Sequence, residues 1–216
     1  MLIAPAEVAG IAGDYIIDTG QPATVLHYDR ATGAGLAEPG VRASALLAGL
    51  ESPQVEVAIV SLDVRAGGLP TPVAGVVGVD VLSHYRMELR LSPCRLTLRR
   101  GGPAKAEVPL VEATVSDGRT ARRGWFVVAT GQAPALQLSA AEVEPTQPPA
   151  EGEPAPVRRI DRLSVGGELF TRLETHVVPP ESLDARAIGV IGAAALKAFR
   201  MTFDFQRARL SLTPSR

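Results

Sequence analysis

Tyr15-Ile16-Ile17-Asp18-Thr19-Gly20-Gln21 and Phe126-Val127-Val128-Ala129-Thr130-Gly131-Gln132 are one pattern written twice: an apolar strand running into x-Thr-Gly-Gln. The second copy starts 111 residues after the first, and Ala129 stands where the first has Asp18. A second pair follows in the same order, Gly75-Val76-Val77-Gly78-Val79-Asp80-Val81-Leu82 against Gly189-Val190-Ile191-Gly192-Ala193-Ala194-Ala195-Leu196, at an offset of 114. Tyr85-Arg86-Met87-Glu88-Leu89 then matches Phe199-Arg200-Met201-Thr202-Phe203, and Arg95-Leu96-Thr97-Leu98 matches Arg209-Leu210-Ser211-Leu212. Several matched blocks in one order read as a tandem duplication. A chain of 216 residues suits two lobes of about 100 residues each. Gly101-Gly102-Pro103 breaks the strand pattern between them, so the expected lobes are residues 1–102 and 103–216.

Within each half the alternation of apolar and polar residues predicts strands, Val55–Leu62 in the first and Leu173–Val178 in the second. The Gly-apolar-apolar-Gly strand leads into a short helix near Val79–Tyr85 or Ala193–Phe199. A hairpin closes each half, Arg86–Leu91 with Arg95–Arg99 and Arg200–Phe205 with Arg209–Leu212. Twenty-one Gly and 18 Pro favour many turns and short strands over long helices. Glu144–Pro156 has no apolar periodicity and many prolines, which predicts an extended surface loop.

Composition narrows the function classes. Hydrophobic residues make up 46% and charged residues 21%, enough to build a substantial core. A formal net charge of -1 gives no reason to expect a nucleic-acid or anionic-membrane partner. The Arg99-Arg100, Arg122-Arg123 and Arg158-Arg159 pairs are scattered and belong on solvated strand ends. One cysteine, Cys94, forms no intrachain disulfide. Met1-Leu2-Ile3 lacks the basic start and long apolar run of a signal peptide, and no 18-residue apolar run is present for a membrane span, so a soluble protein is expected. His27, His84 and His176 have no metal-like spacing with each other or with Cys94; no metal and no cofactor are expected. Neither Gly-x-Ser-x-Gly nor Gly-x-x-x-x-Gly-Lys occurs.

An apolar strand ending in Asp18-Thr19-Gly20, with Gly75–Leu82 some 55 to 60 residues on, resembles the retropepsin-like aspartic proteases, in their bacterial type. With the duplication recognised, the resemblance covers nearly the whole chain. It implies a mostly β, two-lobed acid-protease-like fold, a tandem pseudo-dimer in one chain that acts as a monomer. By the same resemblance each lobe supplies one aspartate from a tight loop, and the loop threonines bond across to the other lobe. Asp18 is then the first catalytic position, with Thr19 and Gly20 its loop partners and Thr130 and Gly131 their counterparts. The second aspartate position is Ala129.

The chemistry of that class needs two neighbouring carboxyl groups sharing one proton, so that a base sits beside an acid. A methyl group supplies neither, and the dyad as written is incomplete. Asp80 also has no acidic counterpart, since Ala194 occupies the matching site, and it reads as a local hydrogen-bonding residue near a helix start. The family's substrate-gripping flaps map to Gly33–Leu50 and Glu144–Pro156, neither of which shows the alternation of a good hairpin. The expectation is a non-catalytic relative that binds a peptide or protein in the interlobe cleft. The alternative is an aspartic endopeptidase whose active form has Asp at position 129 or pairs Asp18 between two chains. A purely structural β-domain is the third reading, marked by the lack of a cleft. If the family assignment holds, Asp18 and Ala129 face each other.

Overall fold

The computed structural model describes residues 1–36, 39–66, 69, 71–102, 104–143 and 157–215. The proline-rich 144–156 loop lies outside the described residues. The chain builds two β lobes on a shared sheet.

The first lobe is an eight-stranded sheet made from β1 (Ile3–Val8), β2 (Ile11–Ile17), β3 (Val25–His27), β4 (Gly40–Ala43), β5 (Ala45–Leu47), β6 (Leu50–Glu51), β7 (Val55–Val60) and β8 (Gly75–Val77). Next come β9 (Tyr85–Leu91) and β10 (Cys94–Arg100). The second lobe is a closed barrel of β11 (Leu110–Ser116), β12 (Ala121–Ala129), β13 (Leu136–Ser139), β14 (Val157–Val165), β15 (Glu168–Val178) and β16 (Ala187–Gly192). The chain closes with β17 (Phe199–Asp204) and β18 (Arg209–Pro214). Helices are short: α1 (Tyr28–Gly33), α2 (Asp63–Ala66), α3 (Val79–Leu82) and α4 (Ala193–Leu196). The helices expected near 79–85 and 193–199 thus stop after one turn. Tyr85 and Phe199 belong instead to strands, because both aromatic rings are fully buried in the core.

The pairing scheme recurs between lobes. Strand β2 runs parallel to β8, β8 antiparallel to β3, and β3 parallel to β7. Likewise β12 runs parallel to β16, β16 antiparallel to β13, and β13 parallel to β15. The registers agree too: Tyr15 faces Gly75 and Phe126 faces Gly189. In both places the aromatic ring lies where a glycine Cβ would be, at 2.9 Å from the Tyr15 ring and 2.9 Å from the Phe126 ring. Any side chain there would also overlap the carbonyl of Val25 or Gln137, so only glycine admits the close strand approach.

The closing hairpins do not stay within their halves. Strand β9 pairs antiparallel with β17, which joins both hairpins into one four-stranded sheet ordered β10-β9-β17-β18. Alternation explains which way it faces: Tyr85, Met87 and Leu89 are buried, as are Phe199, Met201 and Phe203, while Arg86, Glu88 and Arg200 point outward. These six core residues lie in one hydrophobic cluster with Ile17, Leu26 and Val77 of the first lobe and Val128, Leu136 and Ile191 of the second. One core therefore runs across both halves.

The Gly33–Leu50 region contains more order than its Gly and Ala content predicts. Ala48 and Gly49, with φ of 51° and 76°, turn β5 into β6 as a two-residue hairpin. That hairpin pairs onto β1, and β4 pairs onto β7. No helix of the described residues is long and apolar enough to cross a membrane.

Candidate active site

Strands β2 and β12 end side by side, and their Thr-Gly loops interlock. The Thr19 hydroxyl donates to the Val128 carbonyl at 2.5 Å and accepts from the Thr130 amide at 3.4 Å. The Thr130 hydroxyl donates to the Ile17 carbonyl at 2.7 Å and accepts from the Thr19 amide at 3.1 Å. Both threonines are fully buried, so each hydroxyl satisfies a donor and an acceptor of the opposite loop that water cannot reach. The Leu2 amide adds a bond to the Thr130 carbonyl at 2.9 Å.

The glycines bring the loops into contact. A Cβ on Gly20 would sit 2.5 Å from the Ala129 Cβ, and one on Gly131 would sit 2.5 Å from the Asp18 Cβ. Asp18, Thr19, Gly20, Ala129, Thr130 and Gly131 are thus one constellation, with Asp18 and Ala129 buried at its centre. The Gly20 and Gly131 amides both donate to Asp18 Oδ1, at 2.8 and 3.1 Å. The side chain that the second loop brings to this constellation is the Ala129 methyl group.

Sequence reasoning missed one member. The Arg65 guanidinium forms an ion pair with Asp18 Oδ2 through Nη2 and donates through Nη1 to Gln21 Oε1 at 3.2 Å. Its Nε is buried without a hydrogen-bond partner among the described residues. Arg65 reaches the site because β3 and β7 are parallel neighbours, which starts α2 just beyond the strand end beside His27. A single helical turn has little stability of its own and relies on tertiary anchors. Leu62 supplies one by packing with Ile16, Val25 and Val76, and the His27 Nε2–Asp63 Oδ1 contact at 3.3 Å supplies another. Nothing in the local sequence separates Arg65 from the other arginines; the signal is a topological one.

Asp80 is a cross-link. It accepts from the Thr24 amide at 2.9 Å, the Thr24 hydroxyl at 2.7 Å and the Val81 amide at 2.9 Å, and the Thr24 hydroxyl in turn accepts from Gly78 N at 3.0 Å. The expected local role therefore extends 56 residues along the chain, tying the Asp18 loop to α3. In the second lobe Ala135 and Ala194 replace both partners, and the Gly192 amide bonds instead to the Ala135 carbonyl at 3.1 Å.

Among other donor groups, His27, Asp29 and Asp63 have ligand atoms within 4.8 Å of one another. One imidazole and two carboxylates are donor types that a divalent transition ion takes. Histidine-to-histidine spacing could not reveal this set, because two donors are carboxylates and Asp63 arrives from the start of α2. Asp63 Oδ2 already accepts from the Ser61 hydroxyl at 2.6 Å. Cys94 is exposed at the start of β10.

No family model and no curated protein matches the sequence. Among solved structures, the chain is similar to the crystal structure of an aspartic proteinase from Irpex lacteus, with a TM-score of 0.51 and 12% identity over 99% of this chain and 94% of that one. At that identity the likeness is one of fold, and it gives the chain an aspartic-protease-like, two-lobed β architecture.

Proposed function

We propose that this chain is a non-catalytic, tandemly duplicated relative of the retropepsin-like aspartic proteases, which binds a peptide or protein between lobes formed by residues 1–102 and 103–216. The duplication is supported by the repeated strand pairing and by the aromatic–glycine contacts at matched offsets. The observation that carries the loss of catalysis is the partnership of Asp18. Peptide hydrolysis by this class needs a second carboxyl to share a proton and polarise the carbonyl. Here one oxygen of Asp18 takes two amides, the other takes Arg65, and Ala129 offers nothing to protonate. A guanidinium stays protonated and cannot act as the acid of the pair.

The reading in which two chains pair their Asp18 residues is opposed by the threonine grip, since each Thr19 already has its partner loop within the same chain. The test is a broad peptide library at acid to neutral pH. The protein as it stands should bind peptides and give no pepstatin-inhibitable cleavage. Turnover by monomeric protein overturns the proposal. Ala129→Asp combined with Arg65→Gln restores a carboxyl pair and removes the guanidinium. Cleavage gained there and abolished by Asp18→Asn identifies a dyad lacking only one member.

A further inference from the structure

The molecule has a second concave site built from different residues. A cavity of about 480 Å³ lies between the segment from Lys105 to Leu110, the middle of β12 and the β17–β18 turn. That volume falls in the range of small-molecule sites, about 300 to 1,000 Å³. Its apolar wall comes from Val108, Leu110, Trp125, Phe203, Phe205 and Leu210. Trp125 is 50% exposed although it is the largest apolar side chain in the sequence. Phe203, itself buried in the core, backs Phe205 with ring centroids 6.1 Å apart and an interplanar angle of 15°. Trp125 precedes Ala129 by four residues on one strand, roughly 13 Å of extended chain, so this cavity is separate from the Asp18 loops.

Abutting it is a polar cavity of about 230 Å³ lined by Arg86, Thr202, Asp204, Arg207, Arg209 and Ser211. The two cavities share Asp204 and Arg209. Asp204 is the acid of the polar cavity, set against three guanidinium groups. Its Oδ2 accepts from Arg207 Nη1 at 3.1 Å and faces Arg86 Nη1 at 3.8 Å. Arg209, which sits where the cavities meet, has no ion pair among the described residues. On the apolar side the remaining charges are matched, because Lys105 and Arg186 both pair with Glu107, and Arg186 also pairs with Asp184. The excess positive charge is thus confined to one end.

The geometry points to a binding site for a single-chain amphiphile with an anionic head, phosphate or carboxylate. Its apolar body lies against Trp125, Phe205 and Leu210, and its head meets Arg209, with Arg86 and Arg207 nearby on Asp204. Two features select this ligand class over a plain hydrocarbon or a free anion. An apolar body alone leaves Arg209 without an ion pair, and a small anion alone leaves Trp125 in water. A charge-assisted contact from guanidinium to phosphate is stronger than a neutral hydrogen bond and favours the anionic head.

The sequence holds one tryptophan, so its emission reports directly on this wall. The experiment titrates the intact protein with decyl phosphate below its micelle-forming concentration, and with decanol and inorganic phosphate separately. The expected result is a saturable shift in Trp125 emission with decyl phosphate, binding about tenfold weaker for decanol, and no shift with inorganic phosphate. Arg209→Gln should weaken decyl phosphate about tenfold while leaving decanol unchanged. Arg86→Gln provides a second variant, with unchanged thermal unfolding as the control for folding. A non-saturable response, equal affinity for decanol, or unaltered binding by both variants overturns the assignment.

Discussion

The two Thr-Gly loops have nearly the same backbone and opposite polarity. Around Thr19 and Thr130 they mirror each other bond for bond. Around Asp18 and Ala129 they diverge in charge and in their cross-links. The first loop carries Asp18, Arg65 and the Thr24–Asp80 cross-link. The second has Ala129, Ala135 and Ala194, and the 3-10 turn Pro180–Ser182 stands at the place in the lobe that α2 holds in the first. The difference separates two kinds of constraint. Bonds that join the lobes occur in both loops, because each loop satisfies the other's buried groups. Polar groups within one lobe need only satisfy each other.

Breaking the shared part should have the largest effect. Thr130→Val strands the Ile17 carbonyl and the Thr19 amide in a buried setting and should cost about 3 kcal/mol in denaturant unfolding. Thr19→Val should cost a similar amount through Val128 and Thr130. A large difference between the two would show that the grip is not reciprocal. Next comes the first-lobe ion pair. Arg65→Ala leaves the buried Asp18 carboxylate with its amides alone and should cost about 2 kcal/mol, below the usual range for buried pairs because Arg65 is partly exposed. Ser182→Ala, in the turn that stands in for α2, should change stability by less than about 0.5 kcal/mol.

Asp80→Ala tests whether the cross-link can be lost alone. It removes the acceptor for Thr24 and Val81 and should cost about 1.5 kcal/mol, part of it recovered by Thr24→Ala in the same chain. If the double variant is no better than the sum of the two single changes, the coupled loss seen in Ala135 and Ala194 has another cause. At neutral pH a more modest effect contrasts Tyr15 with its counterpart Phe126. Burial pushes the pKa of the Tyr15 phenol up to about 12 from the usual 10.0. Between those values the unfolded chain has released a proton that the folded chain keeps, so stability falls as pH rises, by about 1.4 kcal/mol per unit. Tyr15→Phe should flatten that alkaline decline while costing about 1 kcal/mol at neutral pH, through the bond to the Ile11 carbonyl.

Much of the fold is legible because it rests on short-range rules. Period-two alternation marks β9 and β17, and paired glycines mark β8 and β16, where no side chain fits. The six loop residues come together because they end two strands of one repeated pattern. Arg65 is not legible in this way. Its importance depends on α2 starting just past a parallel strand end, a relation between segments 47 residues apart. The His27–Asp29–Asp63 group escapes for the same reason. The β9–β17 pairing is likewise hidden, since each hairpin in isolation could close on its own lobe.

That pairing has a consequence during synthesis. Arg90 faces Arg200, so the open edge of β9 waits for a partner encoded 110 residues later. At about 5 to 20 residues per second, the edge stays uncovered for roughly 5 to 20 s after it leaves the ribosome. An uncovered strand edge is a template for joining another nascent chain. Arg86, Glu88 and Arg90 alternate along β9 with its buried residues, and such charges are the usual guard against edge-to-edge association. The alternating charge on this strand thus serves the growing chain before it serves the finished one.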